Sequence, residues 1–180
     1  INMALIVEKF GGTSVGSIER IMAVTEQVLE TQSEGDQVIV VLSAMSGETD
    51  RLISLAKDIS GNPDPRELDV LMSTGEQVSV ALLCIALQSK GCVARSFTGS
   101  QIRIHTDSAH NKARIEKIDT ENIRQALTDG QIVVVAGFQG IDSAGNITTL
   151  GRGGTDTTAV AIAAAMKEKL TSHAHRPLRL

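Results

Sequence analysis

Three stretches combine glycines, hydroxyls and single charged side chains in the manner of anion-handling loops: KFGGTS at 9–14, SAMSGETD at 43–50 and GRGGTD at 151–156. Each follows an apolar, strand-like run and leads into a helix-like one. Glycines at such junctions let backbone N–H groups approach an anion at a helix N-terminus. Gly11 and Gly16 have the spacing of a Walker loop, but Ser17 stands where that loop needs its lysine. GRGGTD begins like a dinucleotide fingerprint, but Asp156 occupies the last glycine position and would repel a pyrophosphate. What remains is a pair of glycine doublets, Gly11-Gly12 and Gly153-Gly154, one preceded by Lys9 and the other by Arg152. Two cations and two sets of N–H donors suit a site for more than one anionic group, which is what phosphoryl transfer requires. An ordinary tight turn is the bland alternative for Gly11-Gly12 alone.

The elements that must position these loops can be read from periodicity. Residues 5–10 and 37–42 read as buried strands, and apolar residues recur at helical spacing from Ile18 to Leu29, with Ser17 as N-cap. A helix is expected over about 50–58, and another over 66–90, bent or interrupted at Ser73-Thr74-Gly75. Strands follow at 92–97, at 131–138, which should be central, and at 147–150. Thr120 caps a helix reaching Leu127, and an alanine-rich helix runs from Thr155 to about Leu170. Residues 98–118 fit either a short-stranded hairpin or a long loop over the site. The alternation predicts an α/β fold, a three-layer αβα sandwich around a mostly parallel sheet.

Length and composition narrow the partners. A 180-residue chain is one domain long, and such a domain buries roughly 70% of its unfolded surface. With no Trp or Tyr and three Phe, the core must be aliphatic. A net charge of -4 without a basic stripe or stacking aromatics argues against nucleic acid. No run of about 18 apolar residues suggests a membrane span, and no leader opens the chain. Met3 reads as the natural start, after two added residues. Cys84 and Cys92 lack ligand or disulfide spacing and read as reduced thiols of a cytoplasmic protein. Met45 and Met72 read as packing residues, and His105 and His110 as members of a polar loop. His173 and His175 read as an unstructured tail, or a loose metal pair.

KFGGTS, VLSAMSGETD, STGEQVS, SFTGSQ, VAGFQG and TTLGRGGTDTTAVAIAAA, in this order over residues 4 to about 168, together resemble the bacterial aspartokinases of the amino acid kinase superfamily. The resemblance implies that ATP, with Mg2+, phosphorylates the side-chain carboxylate of L-aspartate to 4-phospho-L-aspartate, the first step toward lysine, threonine and methionine. It implies that Lys9 and Asp156 are catalytic, with Lys9 neutralising the phosphoryl group in flight. Lys9, Phe10, Gly11 and Gly12 would hold nucleotide phosphates. Arg152 would grip the α-carboxylate with its fork, and Glu76 and Asp156 would take the α-ammonium. Ser43, Thr49, Gly153, Gly154 and Thr155 would complete the substrate contacts. Glu76 could instead be a first-turn carboxylate favoured by a helix dipole, and Asp156 a cap.

The resemblance sets residues 3–170 as the N-terminal part of the kinase domain and 171–180 as an unmatched tail. The nucleotide-binding half and the ACT domains, through which lysine or threonine feedback would act, have no counterpart in these residues. The expectation is therefore a homo-oligomerising fragment that is inactive alone, without nucleic-acid or membrane partners. Kinases acting on glutamate, N-acetylglutamate or UMP, and a non-catalytic module, are the alternatives. Arg152 with Glu76 favours a free amino acid, because N-acetylation removes the ammonium.

Overall fold

The computed structural model describes residues 3–171 and 178–179. In chain order the elements are β1 (Leu5–Phe10), α1 (Ile18–Ser33), β2 (Gln37–Leu42), α2 (Glu48–Ile59), α3 (Pro65–Ser89), β3 (Ala94–Phe97) and β4 (Ile104–Thr106). They continue with β5 (Ile115–Ile118), α4 (Glu121–Thr128), β6 (Ile132–Ala136), β7 (Gln139–Ile141), β8 (Ile147–Thr149), α5 (Gly154–Thr171) and β9 (Leu178–Arg179).

The main sheet has the order β3-β6-β2-β1-β9, and its neighbouring strands are parallel. Its interior strands β2, from Val38, and β6 are continuous apolar runs because both faces are covered, whereas β1 is apolar only up to Val7 and at Phe10. From β2, Val38, Val40 and Leu42 pack toward α1 and α3, while Ile39 and Val41 pack toward α4 and α5. From β6, Ile132, Val134 and Ala136 join the first core, and Val133 and Val135 the second. The result is the expected αβα sandwich. The 131–138 run does lie inside the sheet, but β2 is its middle strand.

A second sheet of order β5-β4-β7-β8 was not foreseen as a unit. Residues 98–118 supply its antiparallel pair β4 and β5, so the hairpin alternative holds and His105 lies in a strand. β7 and β8 form its other antiparallel pair, and β8 packs along α3.

Local chemistry sets the helix starts. Ser17 Oγ accepts from Arg20 N at 3.2 Å, the predicted cap. Asp64 caps α3, accepting from Arg66 N at 2.9 Å, with Pro65 in the first turn. Thr120 does not cap α4 with its side chain, which is buried and meets Arg124 Nε at 3.4 Å. Asp119 Oδ1 accepts from Glu121 N instead. α2 starts two residues before the expected position, at Glu48, after Gly47 with φ of 81°.

α3 runs without interruption through Ser73, Thr74 and Gly75, contrary to the expected bend. A Cβ on Gly75 would lie 2.9 Å from Ala44 Cβ, so glycine here serves close approach. α3 is also the one described helix long and apolar enough to span a membrane, which corrects the expectation of no such run. In this fold it carries buried Asp69, Ser73, Glu76 and Ser79 and packs against helices and strands on several sides. Of the expected unstructured tail, Leu178 and Arg179 pair with β1, and both histidines lie outside the described residues.

Candidate functional site

The ends of β1 and β2 and the start of α5 converge on a cavity of about 340 Å³. Lys9, Gly12, Ser43, Thr49, Glu76, Arg152, Gly153, Gly154, Thr155 and Asp156 all line it. Phe10 and Gly11 do not: the Phe10 side chain is in the core, and its carbonyl accepts from Ser43 N at 3.1 Å.

Close backbone approach holds the first two loops together. Ser46 N donates to Gly12 O at 3.1 Å, and a Cβ on Gly12 would lie 2.9 Å from Ala44 O. The third loop joins through hydroxyls, since Ser43 Oγ and Thr155 Oγ1 are 2.7 Å apart. Gly153 adopts φ of 73° just before α5 begins, and Thr157 N donates to its carbonyl at 3.0 Å. The α5 N-terminus thus opens at the cavity, where its unpaired N–H groups favour negative charge.

Charge is arranged in layers. Lys9 Nζ and Asp156 Oδ1 form an ion pair of 2.8 Å at the mouth, and Arg152 is exposed at the rim. Glu76 lies deeper, at 2% exposure, and burial pushes its carboxyl up to about 7. Hydrogen bonds, including one from the Ala44 backbone and one from Gln139, oppose that shift. Glu76 sits mid-helix, so the first-turn alternative for it is excluded. Asp156 is in the first turn of α5, where a carboxylate also complements the helix dipole.

Two buried polar residues around α3 were not singled out from sequence. Gln139 Nε2 donates to Ser73 O at 3.0 Å and to Glu76 Oε2 at 3.2 Å. Asp69, fully buried, accepts from Thr149 Oγ1 at 2.5 Å and from Asn111 Nδ2 at 2.6 Å, and lies 2.6 Å from His110 Nδ1. The available signal was a single polar residue at each site: glutamine after VVVAGF, and aspartate at the i−7 position from Glu76 on one helix face.

A family model described as the amino acid kinase family matches residues 4–171, and the chain belongs to that family. Within it, the chain is 66% identical over 165 residues to the aspartate kinase of Pseudomonas putida, covering 92% of this chain and 40% of that protein. It is 55% identical to aspartokinase 2 of Bacillus subtilis over 165 residues, again 92% of this chain and 40% of the relative. The chain therefore spans about 40% of the length of these curated relatives. Among solved structures, the aspartate kinase from Synechocystis aligns at 50% identity and a TM-score of 0.77, covering 91% of this chain and 27% of that one. The E. coli aspartokinase III complex with aspartate and ADP aligns with a TM-score of 0.79 at 24% identity, over 91% of this chain and 47% of that one, a likeness of fold.

Proposed function

We propose that this chain carries the acceptor and phosphoryl-transfer loops of an aspartate kinase, which converts L-aspartate and ATP to 4-phospho-L-aspartate and ADP. The observation that carries the reading is the convergence of Lys9, Arg152 and Glu76 on one cavity, in a chain 66% identical to an aspartate kinase. A free amino acid presents one α-carboxylate, one α-ammonium and here one nucleophilic carboxylate. Arg152 suits the first and Glu76 the second. The third needs no general base, because it is ionised at neutral pH. A side-chain carboxylate oxygen bonds to the γ-phosphorus as the bond to the leaving ADP oxygen breaks. Both reactants are anionic, so mutual repulsion is the obstacle, and Lys9 with the α5 N-terminus supplies positive potential where they meet.

Ser43, Thr49 and Thr155 offer hydroxyls, and Gly153 and Gly154 offer N–H groups, for substrate oxygens, and the N–H group of Gly12 offers a donor for nucleotide phosphate. Magnesium bound to nucleotide phosphates is commonly held by one or two carboxylates. No cluster of three ligating side chains exists among the described residues, and Asp156 is the exposed carboxylate that fits the limited role. The cation would shield phosphate charge. Such a kinase would work in the cytoplasm, with its ATP supply, as a homo-oligomer.

The test is a chimera in which residues 4–168 replace the matching segment of the Pseudomonas putida aspartate kinase. With ATP and magnesium, trapping the acyl phosphate with hydroxylamine should give hydroxamate from L-aspartate in preference to L-glutamate or N-acetyl-L-aspartate. A folded chimera that prefers either competitor would overturn the reading.

A further inference from the structure

Gln139 is the first residue of β7, buried at 3% exposure, and its amide is spent entirely inside the protein. Its oxygen accepts from Gly99 N at 3.4 Å. Its nitrogen bridges Ser73 O and Glu76 Oε2 at 3.0 and 3.2 Å. These partners fix the amide orientation: a backbone N–H needs the oxygen, so the NH2 must face the carbonyl and the carboxylate. The backbone of Gln139 is equally constrained, since a Cβ on Gly99 would lie 2.3 Å from Gln139 O. A rigid donor on the second sheet therefore meets a carboxylate on α3 that lines the cavity.

We propose that Gln139 is a positioning residue: it aims the Glu76 carboxylate into the cavity and favours its ionised form, so that the site selects ligands bearing an ammonium group. The proposal rests on the reading of the cavity as an amino-acid site and deepens it. Burial alone favours a neutral Glu76, which would attract an ammonium weakly. A hydrogen bond to the charged form opposes burial, and the Gln139 amide provides one without adding charge that would repel the ligand. A lysine or arginine at 139 would ionise Glu76 more strongly but would neutralise it toward the substrate. Glutamine does the first without the second.

The experiment follows carboxyl carbons of the 180-residue chain by NMR against pH, with the Glu76 signal identified by its loss in Glu76→Gln. The wild-type midpoint is expected near 7. Gln139→Met, close in volume and without a donor, should raise that midpoint by about one unit, a tenfold gain in proton affinity. Gln139→Glu should give a coupled pair whose upper step lies above the wild-type midpoint. In the wild type, the Gln139 side-chain NH2 resonances should titrate with Glu76, and this needs no buried substitution. Flat NH2 resonances across the Glu76 transition, or an unmoved Glu76 midpoint in a folded Gln139 variant, would overturn the proposal. In the chimera, Gln139→Met should shift the pH profile of the KM for L-aspartate and leave kcat within a few-fold. If the carboxyl midpoint moves while that KM profile stays, Gln139 still tunes Glu76, and the ammonium role of Glu76 is what falls.

Discussion

Lys9 Nζ and Asp156 Oδ1 lie 2.8 Å apart, joining the end of the first strand to the first turn of the last helix. Lys9 is 34% exposed and Asp156 67%, so the pair contributes within about 0–1 kcal/mol. A bond this weak holds the ammonium at the cavity mouth and lets it turn to a stronger anion. A transferring phosphoryl group, with charge spread over its oxygens, is such an anion.

Lys9→Ala in the chimera should therefore lower kcat by about 10²- to 10³-fold with a much smaller rise in the KM for aspartate. The charge that Lys9 meets grows only on the way to the transition state. Steady-state kinetics with both substrates varied decide it, and near-normal turnover would remove Lys9 from the chemistry.

Arg152→Ala should act on binding. Its side chain is exposed at the rim, so its charge-assisted bonds to an α-carboxylate are worth about 1.5–3 kcal/mol and not the cost of a buried pair. The KM for aspartate should rise about 10- to 100-fold while kcat changes little. An unchanged KM would take Arg152 out of the substrate site.

Gly75→Ala tests the close packing of α3 on the second loop. Alanine is favoured over glycine within a helix by about 1 kcal/mol, so an unhindered site would gain stability. Here the new methyl would sit 2.9 Å from Ala44 Cβ and press on the loop that carries Ser43. Overpacking of this kind costs about 1–3 kcal/mol, so a net loss is expected in urea unfolding, with weaker aspartate binding. A stabilised variant with intact binding would show that the loop yields freely.

The strands and loops of the main sheet were legible because their signals are local. Residues 5–10 and 37–42 are mostly apolar, broken only by Glu8, Lys9 and Gln37, Ser17 is an N-cap, and the glycine doublets mark strand-to-helix junctions. Lys9, Arg152 and Asp156 could be placed at one edge for the same reason. α3 was misread because Ser73, Thr74 and Gly75 are poor helix formers, whereas the contact with Ala44 and the burial of Glu76 are tertiary. The second sheet was missed because two of its strands come from 98–118 and two from 139–149, each only three or four residues long. No local pattern reports a pairing such as His105 with Ile141, or a bond such as Gln139 to Glu76 across 63 positions.

Glu76 ties stability to function through pH. Its folded value of about 7 lies above the ordinary carboxylate value, so the folded chain holds a proton that the unfolded chain has released between about pH 4.5 and 7. Stability from this group is present below pH 4.5 and declines as pH rises through 7, because the native state then must keep a buried charge. The full difference, from 4.5 to about 7, corresponds to roughly 3 kcal/mol as an upper bound. Glu76→Gln removes the titration while keeping the shape and an oxygen acceptor for Gln139. Urea unfolding of the 180-residue chain should show the variant gaining on the wild type progressively from pH 5 to 8. The same substitution in the chimera should raise the KM for aspartate at pH 8, where the lost charge would have met the ammonium. A constant stability difference across that pH range would show that Glu76 does not titrate there, and an unchanged KM would separate it from the substrate.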